Sequence, residues 1–513
     1  MLQLKWHGRV PRGRLCLAQA GLVALFASAS CESDDDGTGG GGGTGAGGGG
    51  APPAWQGEVK FEPCPDDDPA PGAECASIQV PANWDDPEGE SITFVVRRIV
   101  RAESRGQLWL LSGGPGQPGY SFLGSEDLFA QLAPGFDLYM PDHRGTGDST
   151  YLYCPSVYAP GGVEDCVERI ETTWGDAAPY FSITQAARDV GEVIAEVRKP
   201  NEPVLVLGIS YGTTWGHRYL QVFPDQANGI VLDSPCPPGT CDFSVSLAAA
   251  GNDVARSLFE QCADDVVCAS KLGSDPWARF SALLDALDAG HCPGSFLNRK
   301  ALAGPVGSML KAPWLRGYIP ALVYRLERCD PADLVALSHL FTTPYEHQTE
   351  FMAMALRFHI VLSELFPEPA PTVAEVRAGL DALLLGTEDP LFFAQARPFW
   401  PVYPRDEYVG TYATTDTPLL ILSGTLDPVT PPAIAAPFGE HYQGEHQHYV
   451  PVERATHNVV GDACGQELIH SFFADPLAPL DTSCAANTPL VDFDGTAEAN
   501  EHFLGTPDAF ENP

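Results

Sequence analysis

Ser210 lies between two glycines in Gly208-Ile209-Ser210-Tyr211-Gly212, directly after the apolar run 204–207 and before helical spacing over 213–223. A serine hydroxyl attacks a carbonyl only when a base takes its proton in the transition state. A sharp strand-to-helix turn aims that oxygen out of a sheet and points the first helical N–H groups at a developing oxyanion. Glycines at 208 and 212 keep side chains out of such a crowded turn. A second glycine-rich stretch, Ser112-Gly113-Gly114-Pro115-Gly116, ends an earlier apolar run. The N–H groups of Gly113 and Gly114, with that of Tyr211, are candidate oxyanion donors.

An acid and a base are needed to complete this chemistry. Asp427 follows the apolar run 418–422, in Gly424-Thr425-Leu426-Asp427-Pro428. An acid just past a strand's C-terminal end shares a sheet edge with the serine turn, and there it can orient an imidazole. His457 sits in the loop after the strand-like run 446–452 and can reach across to Ser210. His446 and His448 lie within that run, and His441, His470 and His502 lack a strand-then-loop setting. The chain order Ser, Asp, His is one that nucleophilic triads use. The charged loop Asp142–Ser149 reads as a self-satisfied network beside the site, without a catalytic role.

The elements that must position these residues are legible as alternating runs. Strand-like segments at 75–81, 91–100, 107–112, 136–140, 204–207 and 229–233 are interleaved with helical spacing, most clearly over 183–197. Continuous apolar strands between helices indicate a mostly parallel sheet covered on both faces. Helical periodicity then dominates from about 236 to 405, over 244–262, 276–289, 320–328, 331–340, 346–365 and 372–385. Strands return at 418–422 and 446–452. The expected organisation is an α/β core in two parts, 55–235 and 406–513, split by a helical cap over 236–405.

Charge and the N-terminus bound the setting. The 513 residues carry 29 Lys+Arg against 67 Asp+Glu, a net −38 that repels phosphate backbones and argues against nucleic-acid binding. Residues 1–30 have the layout of a signal peptide: a basic start, the apolar stretch 15–26 and small residues before Cys31. Processing before Cys31 would free a thiol for lipidation and membrane attachment, whereas cleavage after Ala29 would release a soluble protein. The segment 31–54 is a Gly-rich tether. Without Cys16 and Cys31, twelve cysteines remain, an even number that suggests disulfides in an exported protein. Six local bridges, 64–75, 154–166, 236–241, 262–268, 292–329 and 464–484, would use them all. Metal binding is the alternative use, but no CxxC pair or clustered Cys/His spacing supports it, and neither metal nor cofactor is expected.

The assembled motifs resemble the prolyl aminopeptidase and tripeptidyl aminopeptidase-like branch of the α/β hydrolases. The resemblance runs from about 55 to 490. It rests on Cys75-Ala-Ser-Ile-Gln-Val-Pro-Ala-Asn-Trp-Asp-Asp-Pro, the Gly-Gly-Pro-Gly loop at 113–116, the loop 142–149, Gly208–Thr213 and Asp427–Pro432. It implies an α/β-hydrolase core with an inserted helical cap. It also implies a serine exopeptidase that acts on peptides with a free N-terminus. The family's base follows glycine, whereas Thr456 precedes His457 here. The branch also carries a Cys two residues before an acid on a cap helix, where this chain has Leu362-Ser363-Glu364. Glu364 is thereby nominated to bind the substrate's ammonium. A carboxylesterase or lipase on the same triad is the alternative enzyme, since fold and triad alone do not set the leaving group. A catalytically silent, envelope-tethered binding protein is a third reading, which the intact set of three residues disfavours.

Overall fold

A computed structural model describes residues 55, 57–65, 68–70, 72–154, 157–295, 297–342 and 352–512. The signal-peptide, tether and Cys31 expectations lie outside these residues. Nine strands form one sheet: β1 (Glu62–Pro63), β2 (Glu74–Pro81), β3 (Ser91–Ile99), β4 (Gly106–Leu111), β5 (Phe136–Pro141), β6 (Val204–Ile209), β7 (Gly229–Asp233), β8 (Leu419–Gly424) and β9 (Gln447–Val452). Their order is β1-β2-β3-β5-β4-β6-β7-β8-β9. The first three strands enter antiparallel and all later pairings are parallel. Every residue of β4 to β8 is buried, as expected for strands covered on both faces.

Seven of the helices serve or flank the core. These are α1 (Glu126–Leu132), α2 (Gly162–Trp174), α3 (Ile183–Val197) and α4 (Tyr211–Val222), and, numbered in chain order, α14 (Pro432–His441) and α15 (Ala463–Ala474), with α5 (Val245–Asp264) leading out of it. Ser182 caps α3 by accepting from the Gln185 N–H. Packing of α3 and α4 fills one face of the sheet around Trp109, Val190, Val206 and Trp215. The other face is filled by α1 and α15 around Leu110, Phe129, Leu207 and Phe472.

Between β7 and β8 the chain is helical. After α5 come α6 (Val266–Leu272), α7 (Pro276–Asp288), α8 (Arg299–Lys311), α9 (Ile319–Arg328), α10 (Pro331–Thr342), α11 (Met354–Ile360), α12 (Val373–Asp381) and α13 (Asp389–Ala396). The helices α5 to α10 build their own apolar core. The C-terminal segment joins that core and not the sheet: Val491, Phe493, Leu504, Ala509 and Phe510 are buried in it. The buried Arg325 guanidinium donates to the carbonyls of Asp508, Ala509 and Glu511. The sequence boundary at 406–513 therefore groups two pieces that pack in different places. All twelve cysteines are paired as the sequence spacing suggests, in six disulfides. Such a set marks a chain that matures in an oxidising compartment, outside the cytoplasm.

Candidate active site

Ser210 stands between the end of β6 and the start of α4 with φ 58° and ψ −125°. A non-glycine residue holds a positive φ only when its surroundings impose it. Here the Ser210 N–H donates to the Asp233 carbonyl at 2.9 Å, and the Thr213 hydroxyl donates to the Ser210 carbonyl at 2.6 Å. The flanking glycines are required by close backbone approach. A Cβ on Gly208 would lie 2.2 Å from the Gly212 carbonyl oxygen, and one on Gly212 would lie 2.0 Å from that of Leu111.

The serine hydroxyl donates to His457 Nε2 at 2.9 Å, and His457 Nδ1–H donates to Asp427 Oδ2 at 2.8 Å. Three residues up to 247 positions apart thus meet at the C-terminal rim of the parallel strands. Asp427 is fully buried, which alone would raise its pKa. The facing His457, with N–H donors from Thr430 and Val429, outweighs burial and holds the carboxyl below its ordinary 3.8. Thr430 also donates its hydroxyl to Asp427 Oδ2 at 2.9 Å. An ionised, fixed acceptor is what keeps the imidazole in the tautomer that presents a bare Nε2 to the serine.

The loop that carries His457 is tied down by residues that sequence reasoning missed. Asp233, at the end of β7, accepts from the Val459 N–H at 2.8 Å and the Val460 N–H at 2.7 Å. Ser234 accepts from the Asn458 N–H at 2.9 Å. Burial pushes the Asp233 carboxyl up to about 6, against the lowering effect of those N–H donors. The available signal was the same one that points to Asp427, an acid closing a buried apolar strand. Thr456, the departure noted beside His457, donates its hydroxyl to the Leu310 carbonyl of α8 at 2.9 Å. The base is thereby linked directly to the helical insertion.

Gly113 reaches the site: a Cβ there would lie 3.2 Å from Ser210 Cβ. The loop is pinned from outside, because Arg357 on α11 donates to the Gly114 carbonyl at 2.9 Å and the Ala353 N–H donates to Gly116 at 2.9 Å. The N–H of Tyr211 is the first of α4, where the helix dipole favours negative charge. The Tyr211 hydroxyl donates to His143 Nε2 at 3.1 Å, while His143 Nδ1–H donates to the Arg144 carbonyl at 2.6 Å. Burial lowers the His143 pKa to about 3, so that ring stays neutral and can accept.

The loop 142–149 is satisfied partly from within, through bonds such as Ser149 Oγ to the Asp142 carbonyl at 2.7 Å, but its charged groups pair with residues outside it. Arg144 forms two bonds with Asp189, at 2.6 and 2.7 Å. Arg97 pairs with Asp142 at 2.8 Å and also with Asp68 and Asp148.

Glu364 does not present a free carboxylate, which corrects its assignment to a substrate ammonium. Its Oε2 accepts from Arg218 at 2.8 Å and its Oε1 from the Tyr403 hydroxyl at 2.7 Å, and the group is buried. A buried guanidinium already neutralises the charge that an amine would need. The sequence shows the carboxylate on a helix but not the arginine 146 residues earlier that claims it.

Comparison with known proteins agrees with this geometry. The model of the alpha/beta hydrolase fold matches residues 108–258, and that of the TAP-like proteins matches 395–484. The tripeptidyl aminopeptidase of Streptomyces lividans is 28% identical over 197 residues, covering 32% of this chain and 36% of that protein. The chain thus spans about a third of the length of that relative. Serine protease Hip1 of Mycobacterium tuberculosis is 22% identical over 481 residues, covering 82% of this chain and 89% of Hip1. Carboxylesterase B of Mycobacterium tuberculosis is 27% identical over 253 residues, covering 42% of this chain and 46% of the esterase. With its parallel sheet, serine turn and matched segments, this chain has the α/β-hydrolase fold and carries a segment similar to the TAP-like proteins.

Proposed function

We propose that this protein is a serine exopeptidase that cleaves peptides from a free N-terminus through an acyl-enzyme. The observation that carries the acyl-enzyme chemistry of this reading is the continuous relay Ser210–His457–Asp427, at 2.9 and 2.8 Å. It is supported by the TAP-like match and by the long alignment with a serine protease. Ser210 Oγ attacks the scissile carbonyl carbon as His457 Nε2 takes its proton, and Asp427 stabilises the imidazolium formed. The N–H of Tyr211 and those of the Gly113–Gly114 stretch receive the oxyanion. Collapse breaks the C–N bond, and the leaving amine takes the proton from His457. Water, deprotonated by His457, then releases the acyl group and restores Ser210.

The test is a panel of peptide arylamides with free and acetylated N-termini, measured alongside simple aryl esters. The exopeptidase reading expects cleavage of the free forms and a steep loss on acetylation. Equal rates for both forms would reject it, and turnover confined to the esters would favour the carboxylesterase reading that the Carboxylesterase B match raises. Ser210→Ala should lower kcat by ~10⁶-fold; near-normal turnover would mean that another residue is the nucleophile.

The N-terminal layout supports export through a cleaved signal peptide, with lipidation of Cys31 and a Gly-rich tether to a membrane. Among the described residues no helix is long and apolar enough to cross a membrane. Labelling with a radioactive fatty acid, and its loss in Cys31→Ser, tests this.

A further inference from the structure

Five arginines among the described residues are buried: Arg97, Arg144, Arg218, Arg316 and Arg325. Four of them face carboxylates: Arg97 pairs with Asp142, Arg144 with Asp189, Arg218 with Glu364 and Arg325 with Asp333. Arg316 is the exception. Its side chain is about nine-tenths buried, and Nε and Nη1 are sealed from solvent with no hydrogen-bond partner. The third nitrogen, Nη2, is not sealed in this way. The chain has 67 acidic residues against 29 basic ones, so the missing partner is not for want of carboxylates. A buried cation without a counter-charge is costly, and such groups persist where a ligand supplies the charge.

The location of Arg316 bears on what could pair with it. It lies in the short turn Arg316–Tyr318 between α8 and α9. The end of α8 touches the His457 loop through the bond from Thr456 to Leu310. The charged groups that act on Arg316 are Asp462 and Arg454, one on each side of His457 in sequence. Neither satisfies it. Asp462 spends an oxygen on the Cys464 N–H as the cap of α15, and Arg454 is a like charge already paired with Glu453.

We propose that Arg316 is a binding residue for a carboxylate of the substrate, held by one oxygen on Nη2 beside the loop that carries the base. The proposal rests on the peptidase reading and deepens it: the enzyme would prefer peptides whose carboxylate lies within reach of the scissile bond. That carboxylate is either the C-terminus of a short peptide or an acidic side chain past the cleaved bond. A charge-assisted bond to a desolvated guanidinium is strong enough to set such a preference.

The experiment compares free-amine tetrapeptides in matched pairs, C-terminal acid against amide in one arm and Glu against Gln past the scissile bond in the other. The wild type should favour the acid by about tenfold or more in kcat/KM, chiefly through KM, in at least one arm, and that arm identifies the source of the carboxylate. In Arg316→Gln the ratio should fall to near one, and Arg316→Lys should keep part of it. No preference in the wild type, or a preference that survives Arg316→Gln, would overturn the proposal. If Arg316→Gln does not fold, Arg316→Lys decides: an unreduced ratio overturns the proposal. If no peptide is hydrolysed at all, the peptidase reading has failed, and Arg316 is judged by heat stabilisation. The Ser210→Ala protein should then be stabilised by the acid member of a pair and not by its amide, and equal stabilisation overturns the proposal.

Discussion

Ser210 and His457 face one another across 2.9 Å, yet the two sides of the relay are held by different means. The nucleophile is set by backbone. Its strand, its turn and the first residues of α4 are contiguous, and the two flanking glycines let main chain approach main chain at distances no side chain tolerates. The base is set by side chains borrowed from elsewhere. Asp233 at the end of β7 and Ser234 just beyond it hold the loop after His457, and Thr456 before it is tied to the helical insertion. The nucleophile side should be insensitive to pH but intolerant of added volume. The base side should tolerate volume but answer to every change in a polar group.

This contrast can be broken at three points. Gly212→Ala should do the most damage, because its Cβ would stand 2.0 Å from a backbone oxygen that has no freedom to retreat. A loss of about 3 kcal/mol or more is expected in urea unfolding, with activity abolished. A stable, active Gly212→Ala would mean that the turn is not backbone-determined.

Asp233→Asn sharpens the other side. The folded carboxyl titrates at about 6, above its ordinary 3.8, so the unfolded chain releases this proton first. The group's contribution to stability is therefore complete below about pH 4 and is lost as pH rises through about 6. Relative to Asp233→Asn, the wild type should lose on the order of 3 kcal/mol between pH 4 and pH 7, read from paired denaturant titrations. The same variant should lower kcat ten- to a hundredfold at pH 7, since small misplacement of a reacting group is expensive. A pH-independent difference would show that Asp233 is not the titrating anchor. The smallest effect is expected for Thr456→Val, about 1 kcal/mol and a few-fold in kcat, with Thr456→Ser close to the wild type. Equal behaviour of the two variants would remove the link between base and insertion.

The same contrast explains what could be read in advance. The serine turn is local, and five of its residues announce strand, turn and helix in sequence order. The helix α3 was legible at Ile183–Val197 because its buried face recurs with helical period. Asp427 and His457 were legible because each follows a strand-like run, fully buried in β8 and only partly in β9. Their supports were not, because Asp233 meets Val459 across 226 residues and sequence separation carries no distance. Glu364 misled for the same reason. Among the helices, α8 and α14 were hidden by Pro305 and Pro437 inside them, which read as breaks. The acidic, mostly exposed α2 offered too narrow an apolar stripe to stand out. The C-terminal segment follows the last core helix, and nothing in its composition tells that it returns to the insertion.

The six disulfides join cysteines that are immediate neighbours in the list of twelve, with separations from 5 to 37 residues. A chain threaded through a membrane from its N-terminus offers these thiols in their order of arrival, first with second, third with fourth, and so on to the end. An oxidant that simply joins each newcomer to the one waiting would produce the native set, with no reshuffling and no need for the sheet to exist beforehand. Each bridge pins only its own neighbourhood, so reducing one should loosen a local segment while leaving the distant meeting of serine, histidine and aspartate intact.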